Sequence, residues 1–310
     1  MKLDDDNLLW KEGISFTSYS SQTADYGLSK LKKVEAFSIA DLFSLYKDIL
    51  WDDGNHKYNV SSFIGELDEI LLGERFSVLD QDTVDGLIGK LRERGNSNAT
   101  INRKMAALSK LLRKAYKMGN IHNLPEFRRQ KERAGRIRFL DREEEDRLFL
   151  AVKARCENSY RLCVFLVDTG CRLGEAIGLI WNDVHDHRVS FWITKSGRSR
   201  TVPLTQRALE SLTGEGARKK GPFSMLNQAN FRAIWNDAKA EIGLGTDKQV
   251  VPHILRHTCA SRLVQGGIDI RRVQMWLGHQ TLQMTMRYAH LATNDLDSCV
   301  VVLERKSRIA

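Results

Sequence analysis

No stretch of the chain approaches the roughly 18–20 consecutive apolar residues that a membrane-spanning helix needs. The first ten residues, MKLDDDNLLW, are acidic where a secretory leader would be basic and then apolar. The expectation is a cytoplasmic or nucleoid-associated protein, in a bacterium or an infected host cell, with no membrane partner. Cysteine is sparse and scattered. Cys156, Cys163, Cys171, Cys259 and Cys299 make an odd set without a C-x-x-C pair, which disfavours a disulfide framework and fits a reducing compartment. Cysteines and histidines also lack zinc-ligand spacing. There is no internal repeat, no G-x-G-x-x-G and no P-loop. The expectation is therefore no cofactor and no metal.

What is present is a chain of 310 residues, 42% of them hydrophobic. That is enough for two packed domains, with one large α/β domain as the alternative. The formal net charge of +9 favours a polyanionic partner, although many basic proteins bind no nucleic acid.

Residues 1–34 are polar, with only scattered bulky apolar side chains, and read as a flexible or weakly folded arm. Residues 35–121 read as a small helical domain. Ser38 can cap IADLFSLYKDIL, Ser61 or Ser62 the next helix, and Asp82 a third that stops at Gly95. In INRKMAALSKLLRKAYKMG, Ile101, Met105, Leu108, Leu111, Leu112 and Ala115 recur at helical spacing. Arg103, Lys104, Lys110, Arg113, Lys114 and Lys117 read as lying off that stripe. Six basic residues with no acidic one suit either a phosphate-facing surface or a solvated face. Residues 122–138, with Leu124-Pro125 and a basic run, read as a linker or plain spacer.

A second domain, 139–310, opens with Asp141 before an acidic first turn. Strand candidates at Arg188–Thr194 and Ser199–Pro203 flank the turn Lys195-Ser196-Gly197-Arg198. Helices are expected over Asn227–Ile242, over Pro252–Gln265, and in short pieces at 269–277, 281–288 and 293–304.

Chemistry on a phosphodiester sets a short list of residue types. Guanidiniums can clamp the nonbridging oxygens. A proton donor must meet the leaving oxygen, and a hydroxyl nucleophile stores the bond energy as a covalent intermediate. Arg172, in TGCRLGEAIGLIW, sits just past a glycine and is either such a clamp or a structural ion pair with Glu175 three residues on. His253 and Arg256, in PHILRHTCASRLVQGG, share a helical face. His257, beside Arg256, is either a supporting polar group or a packing residue. Lys195 is either surface decoration or a flexible stem reaching a reactive site. His279 follows Trp276-Leu277-Gly278, and Tyr288 lies in MTMRYAHL. A tyrosine hydroxyl is mute near neutral pH until cationic neighbours favour the phenolate. Tyr288 alone reads equally as a packing aromatic, and Arg287 is expected to face elsewhere.

Taken together, TGCRLGEAIGLIWNDV, ITKSGRSRTVPLT, HILRHTCASRLVQGGIDIRRVQMWLGHQTLQMTMRYAHL and, upstream, NSNATINRKMAALSKLLRKAYKMGNI resemble the tyrosine recombinase (phage integrase) family over about residues 36–305. H-x-x-R, L-G-H and R-Y in this order are specific as a set and weak singly. No position departs from the family pattern. The resemblance implies a mainly α protein: a helical core-DNA-binding domain and a mostly helical α+β catalytic domain with a small antiparallel sheet, closing as a C-shaped clamp on the duplex. It implies that Arg172 and Arg256 clamp the phosphate, Glu175 supports the arginine, and Lys195 protonates the leaving oxygen. His253 contacts the phosphate and helps manage the nucleophile's proton, His279 hydrogen-bonds the phosphate, and Tyr288 forms a 3′-phosphotyrosyl link. It further implies double-stranded DNA at specific sites, a homotetramer coupled through the C-terminal tail, and possible host DNA-bending proteins.

Within that resemblance the 96–121 region is similar to the phage type. A chromosome-dimer-resolving recombinase and a type IB-like topoisomerase remain as alternatives. A binding protein with a degenerate site is opposed by the complete residue set. A metal-dependent nuclease is opposed by the lack of carboxylates grouped near these residues.

Overall fold

The computed structural model describes residues 36–132, 135, 137–192, 199–213, 220–292, 300, 303 and 304. The expected arm at 1–34, Lys195 with its turn, and most of the expected tail helix lie outside the described residues. The chain divides into two compact units, Met1–Ala134 and Gly135–Ala310.

Among its described residues the first unit has four helices: α1 (Ile39–Leu50), α2 (Asn55–Ile70), α3 (Gln81–Glu93) and α4 (Asn98–Lys117). Ser38 caps α1 in a reciprocal capping box with Asp41, and Ser97 caps α4 through the Thr100 amide. These satisfy amide donors that a helix start otherwise leaves open. Two expected caps are corrected. α2 starts at Gly54, well before Ser61, because the buried series Val60, Ile64, Leu67 continues the helical period backward. α3 is capped by Asp80, whose side chain accepts from the Thr83 amide, while Asp82 lies in the first turn. α4 packs on α1, α2 and α3. It fully buries Ile101, Leu108, Leu111 and Leu112, each contributing about 1.5–3 kcal/mol of hydrophobic stabilisation. Residues 122–132 are fastened to this unit by side chains. Asn102 both donates to the Gln130 carbonyl (2.9 Å) and accepts from the Gln130 amide (2.8 Å), and Asn98 donates to the Lys131 carbonyl (2.7 Å).

In the second unit α5 (Arg142–Arg155) starts in a capping box at Asp141. α6 (Glu157–Thr169) runs through the core, packed by α5, α8 (Gln206–Leu212) and α10 (Ile254–Gln265). Among the remaining helices are α7 (Leu173–Ile177), α9 (Gln228–Glu241), α11 (Ile270–Leu277) and α12 (Gln283–Met286). The sheet has three antiparallel strands, β1 (Val184–His185), β2 (Arg188–Phe191) and β3 (Arg200–Pro203), in that order. β1 and α8 were not anticipated. β1 pairs His185 with Arg188 across Asp186 and His187, both at positive φ, as a two-residue primed turn requires.

Two glycines set the ends that carry the site. Gly170 terminates α6 in the left-handed conformation (φ +62°). A Cβ there would stand 2.8 Å from a Leu277 methyl and 3.0 Å from the Cys259 sulfur. Gly278 terminates α11 likewise (φ +66°), with the Arg200 Cδ 2.8 Å from where its Cβ would be. Only glycine adopts this backbone at no steric cost and leaves room for the neighbour.

Candidate active site

Arg172, Glu175, Arg200, His253, Arg256, His257, His279 and Tyr288 come from separate segments of the second unit. Arg256 ties those segments together. Its side chain is buried on α10, and its two terminal nitrogens donate to the Gly170 and Leu277 carbonyls, both at 2.7 Å. Each carbonyl lies two residues before another site residue, Arg172 in one case and His279 in the other. The guanidinium thus pins the end of α6 and the end of α11 to α10.

Glu175 does the same for the cations above it. One carboxylate oxygen accepts from the Arg172 side chain (2.7 Å). The other accepts from the Arg172 amide (2.9 Å) and from Arg200 (2.7 Å). Arg200, at the start of β3, was not anticipated. Its side chain is 7% exposed. Its Nε donates to the Trp276 carbonyl (3.1 Å), and its guanidinium lies 4.5 Å from the Phe191 ring centre. Strand alternation carried the signal, because Arg200 shares a strand face with the buried Val202.

Glu175 thus pairs with two guanidiniums, those of Arg172 and Arg200. Among the described residues no carboxylate forms an ion pair with Arg256. Burial, then Arg172 and Arg200, lower its pKa to about 10. Such a concentration of positive charge in a low-dielectric site favours an incoming anion. Glu175 is held below the usual carboxylate range although burial alone would raise it, because Arg200 and Arg172 favour its charged form. A cleft of about 660 Å³ opens beside this cluster, lined by Arg172, Glu175, Trp192, Gln228, Arg232 and His253.

The histidines sit in the same field. His253 is the exposed residue preceding α10. Neighbouring protein mass, then Arg256, Arg172 and Arg287, lower its pKa. His279 is buried, with Nδ1 2.8 Å from the Thr285 hydroxyl. Burial first, then Arg256 and Arg172, push it down to about 3. Tyr288 is 1% exposed and belongs to a small core with Ala260, Val264, Val273 and Leu277. Its hydroxyl lies 2.6 Å from Nδ1 of His257. Burial raises the phenol pKa, while Arg287 and Arg256 pull against that rise. The expectation that Arg287 faces elsewhere is corrected, since its guanidinium carbon stands 5.9 Å from the Tyr288 ring centre.

Residues 138–295 match the model of the phage integrase family. The chain belongs to that family. It is 33% identical to the integrase of Haemophilus phage HP1 over 229 residues, covering 70% of this chain and 63% of the relative. It is 32% identical to a putative integrase of Pseudomonas phage Pf1 over 205 residues, covering 65% and 60%. A tyrosine recombinase XerD of Bifidobacterium longum is 30% identical over 154 residues, covering 44% and 50%. The chain thus spans about 60% of the length of the phage relatives. Its fold is that of a lambda integrase solved as a dimer bound to a COC′ core site, with a TM-score of 0.72 at 19% identity over 84% of this chain and 79% of that one. The mainly α architecture with a small antiparallel sheet agrees with the expectation from sequence.

The basic face of α4 is smaller than expected. Arg103, Lys110, Arg113 and Lys117 are exposed. Lys104 is buried, with Nζ 2.6 Å from Glu66 and 2.8 Å from the Asn96 side-chain Oδ1, so its expected place on the outer surface is corrected. Lys114 is half-buried, 5.7 Å from the centre of the Tyr46 ring. Arg128 and Arg129 instead join Arg103, Lys110 and Arg113 around a groove of about 680 Å³. Among the described residues no helix is long and apolar enough to cross a membrane, and no group of three or more His, Cys, Asp and Glu side chains could hold a metal ion.

Proposed function

We propose that this phage integrase family member is a site-specific DNA recombinase that cuts and rejoins DNA through a 3′-phosphotyrosyl intermediate. The observation that carries the reading is the buried Tyr288 hydroxyl, on which the charges of Arg287 and Arg256 act, in a unit whose clustered guanidiniums have too few carboxylates to neutralise them. Arg172 and Arg256 would hold the nonbridging oxygens of the scissile phosphate. Their charge counters the negative charge that gathers in the transition state. His253 and His279, largely neutral near pH 7, would hydrogen-bond the phosphate without adding charge. Glu175 would hold Arg172 in register. Lys195 would protonate the leaving 5′ oxygen; the resemblance of its segment supports this role. Storing bond energy in the phosphotyrosine lets resealing proceed without ATP or a metal ion.

The partner is proposed to be double-stranded DNA, gripped in part by Arg103, Lys110, Arg113 and Lys117 together with Arg128 and Arg129. Integration or excision of phage or mobile-element DNA is the reading favoured by the HP1 and Pf1 relatives. The XerD relative favours chromosome-dimer resolution as the second reading. A tetramer coupled through the C-terminal tail, host DNA-bending proteins and a cytoplasmic location extend the same proposal.

The test is a library of nicked suicide duplexes with randomised core sequence. Wild-type protein should yield a covalent, protease-sensitive adduct on a subset of duplexes, and Tyr288→Phe none. An adduct that persists in the variant would refute the assignment of Tyr288.

A further inference from the structure

Among the described residues, the close polar neighbour of the Tyr288 hydroxyl is none of the histidines assigned to the phosphate. It is Nδ1 of His257, at 2.6 Å. The two rings lie 5.9 Å apart, centre to centre. On its other side His257 meets the ring of His253 edge to face, with centres 4.9 Å apart. The position of His257 is fixed by α10, one residue past the Arg256 anchor.

We propose that His257 is the proton acceptor for Tyr288, a catalytic residue of the cleavage step and, in reverse, of resealing. This rests on the reading of Tyr288 as the nucleophile. As the phenolic oxygen bonds to phosphorus, its proton passes to Nδ1 of His257. The bond from phosphorus to the 5′ oxygen breaks, and its electron pair leaves with that oxygen. The 5′ oxygen takes a proton from a separate donor, the role proposed for Lys195. Resealing runs the same transfers backward, with the His257 proton returning to the tyrosine.

The surroundings explain why a separate base is needed and why it is ready. Tyr288 is enclosed in an apolar cluster, so it rests as a neutral phenol and cannot attack until it loses a proton. His257 is kept neutral: burial, then His253, Arg287 and Arg256, lower its pKa to about 4. Its Nδ1 lone pair is free to accept when the ring proton sits on Nε2. The same cations imply a substrate-dependent gain. A phosphodiester anion bound at Arg172 and Arg256 offsets their charge. The charge of Arg256, one of the causes that make a protonated His257 unfavourable beside burial, His253 and Arg287, is then offset at the moment the proton must move.

The experiment compares wild type, His257→Ala and His257→Asn on the duplex captured by the suicide screen, with single-turnover cleavage followed from pH 6 to 9. Asparagine keeps a hydrogen bond toward the hydroxyl but is not a base. Both variants should cleave about 10²–10⁴-fold more slowly. Their rates should rise about tenfold per pH unit where wild type is nearly flat, and added imidazole should speed His257→Ala. A bridging 5′-phosphorothiolate, whose sulfur leaves without a proton, should not restore either variant. The inference is overturned by wild-type rates in His257→Asn, or by a pH-independent loss that imidazole leaves unchanged. Rescue by the phosphorothiolate would also overturn it, since it would place His257 on the leaving group. An adduct surviving in Tyr288→Phe, or none with wild type on any duplex, instead strikes the underlying reading and takes this one with it.

Discussion

Glu175→Gln tests the charge balance of the site with one atom changed. The carboxylate accepts three hydrogen bonds, two from guanidiniums, and its side chain is only 12% exposed. Removing one partner of a buried ion pair costs about 3–5 kcal/mol, because the remaining charge is left uncompensated. Glutamine retains a carbonyl that can accept from one arginine, and Arg172 is 26% exposed, so a loss of about 2–3 kcal/mol is the better figure, with charge-assisted bonds contributing most of it. For a unit the size of Gly135–Ala310, that corresponds to a fall in Tm of roughly 4–12 °C. Calorimetry of the full chain at pH 7 measures it.

Two further readouts make the reasoning specific. Glu175 titrates below its ordinary pKa in the folded protein. Its contribution is therefore complete above the unfolded-state pKa and is lost as pH falls through the folded one. The gap between wild type and variant should close under acid, below about pH 4.5. Sulfate, which can occupy an anion site, should raise the Tm of the variant more than that of wild type. Suicide cleavage should fall about 10²-fold, as expected when a positioned group loses its anchor. A variant within 1 °C of wild type across the pH range would refute the claim that one carboxylate balances these cations.

Lys104→Met should destabilise the first unit by about 1–3 kcal/mol by removing the hydrogen bonds of Lys104 to Glu66 and Asn96, with no change in the salt dependence of DNA binding. Arg113→Ala should lower the slope of log K against log salt by about 1 with little loss of stability; equal slopes for Arg113→Ala and wild type would remove that residue from the interface. The Tm of the second unit should fall as pH drops from about 6.5 toward 4. His253, His257 and His279 have folded pKa values below the ordinary one, so the stability they lend above pH 6.5 is lost as they are forced to charge. A flat profile across that interval would count against their being held neutral in the folded protein. Deleting residues 291–310 should leave single-site cleavage and abolish strand exchange between two sites; an unchanged recombination yield would show that the tail has no coupling role.

Legibility in the sequence followed the kind of signal each feature leaves. Ser38 was readable as a cap because it is a side-chain acceptor followed by a helical apolar period, and the structure places it there; Ser61, Ser62 and Asp82 offered the same chemistry and lie inside their helices. Lys104 was misread although the spacing held the answer. It lies three residues after Ile101 and four before Leu108, inside the buried stripe, and its charge drew attention away from its position. The half-buried Glu66 partner, 38 residues earlier, could not be inferred from α4 alone. His257 left even less trace. α10 is buried at Ile254, Leu255, Arg256, Thr258, Cys259 and Ala260 in unbroken company, so no single face stands out. The tyrosine that His257 meets is 31 residues away.

What joins the scattered motifs is chiefly backbone, which a sequence does not display. Arg256 reaches the Gly170 and Leu277 carbonyls because α6 and α11 each end in a left-handed glycine turn. A helix end leaves its last carbonyls without amide partners, and a planar guanidinium can satisfy two of them at once. Lysine in place of Arg256 would carry the same charge yet could not span both acceptors in one rigid fork. The second arginine of the set is thus committed to architecture before any phosphate arrives. The glycines in TGCR and LGH matter for the same reason: they present those carbonyls, and through them Arg172 and His279 are brought beside one buried cation.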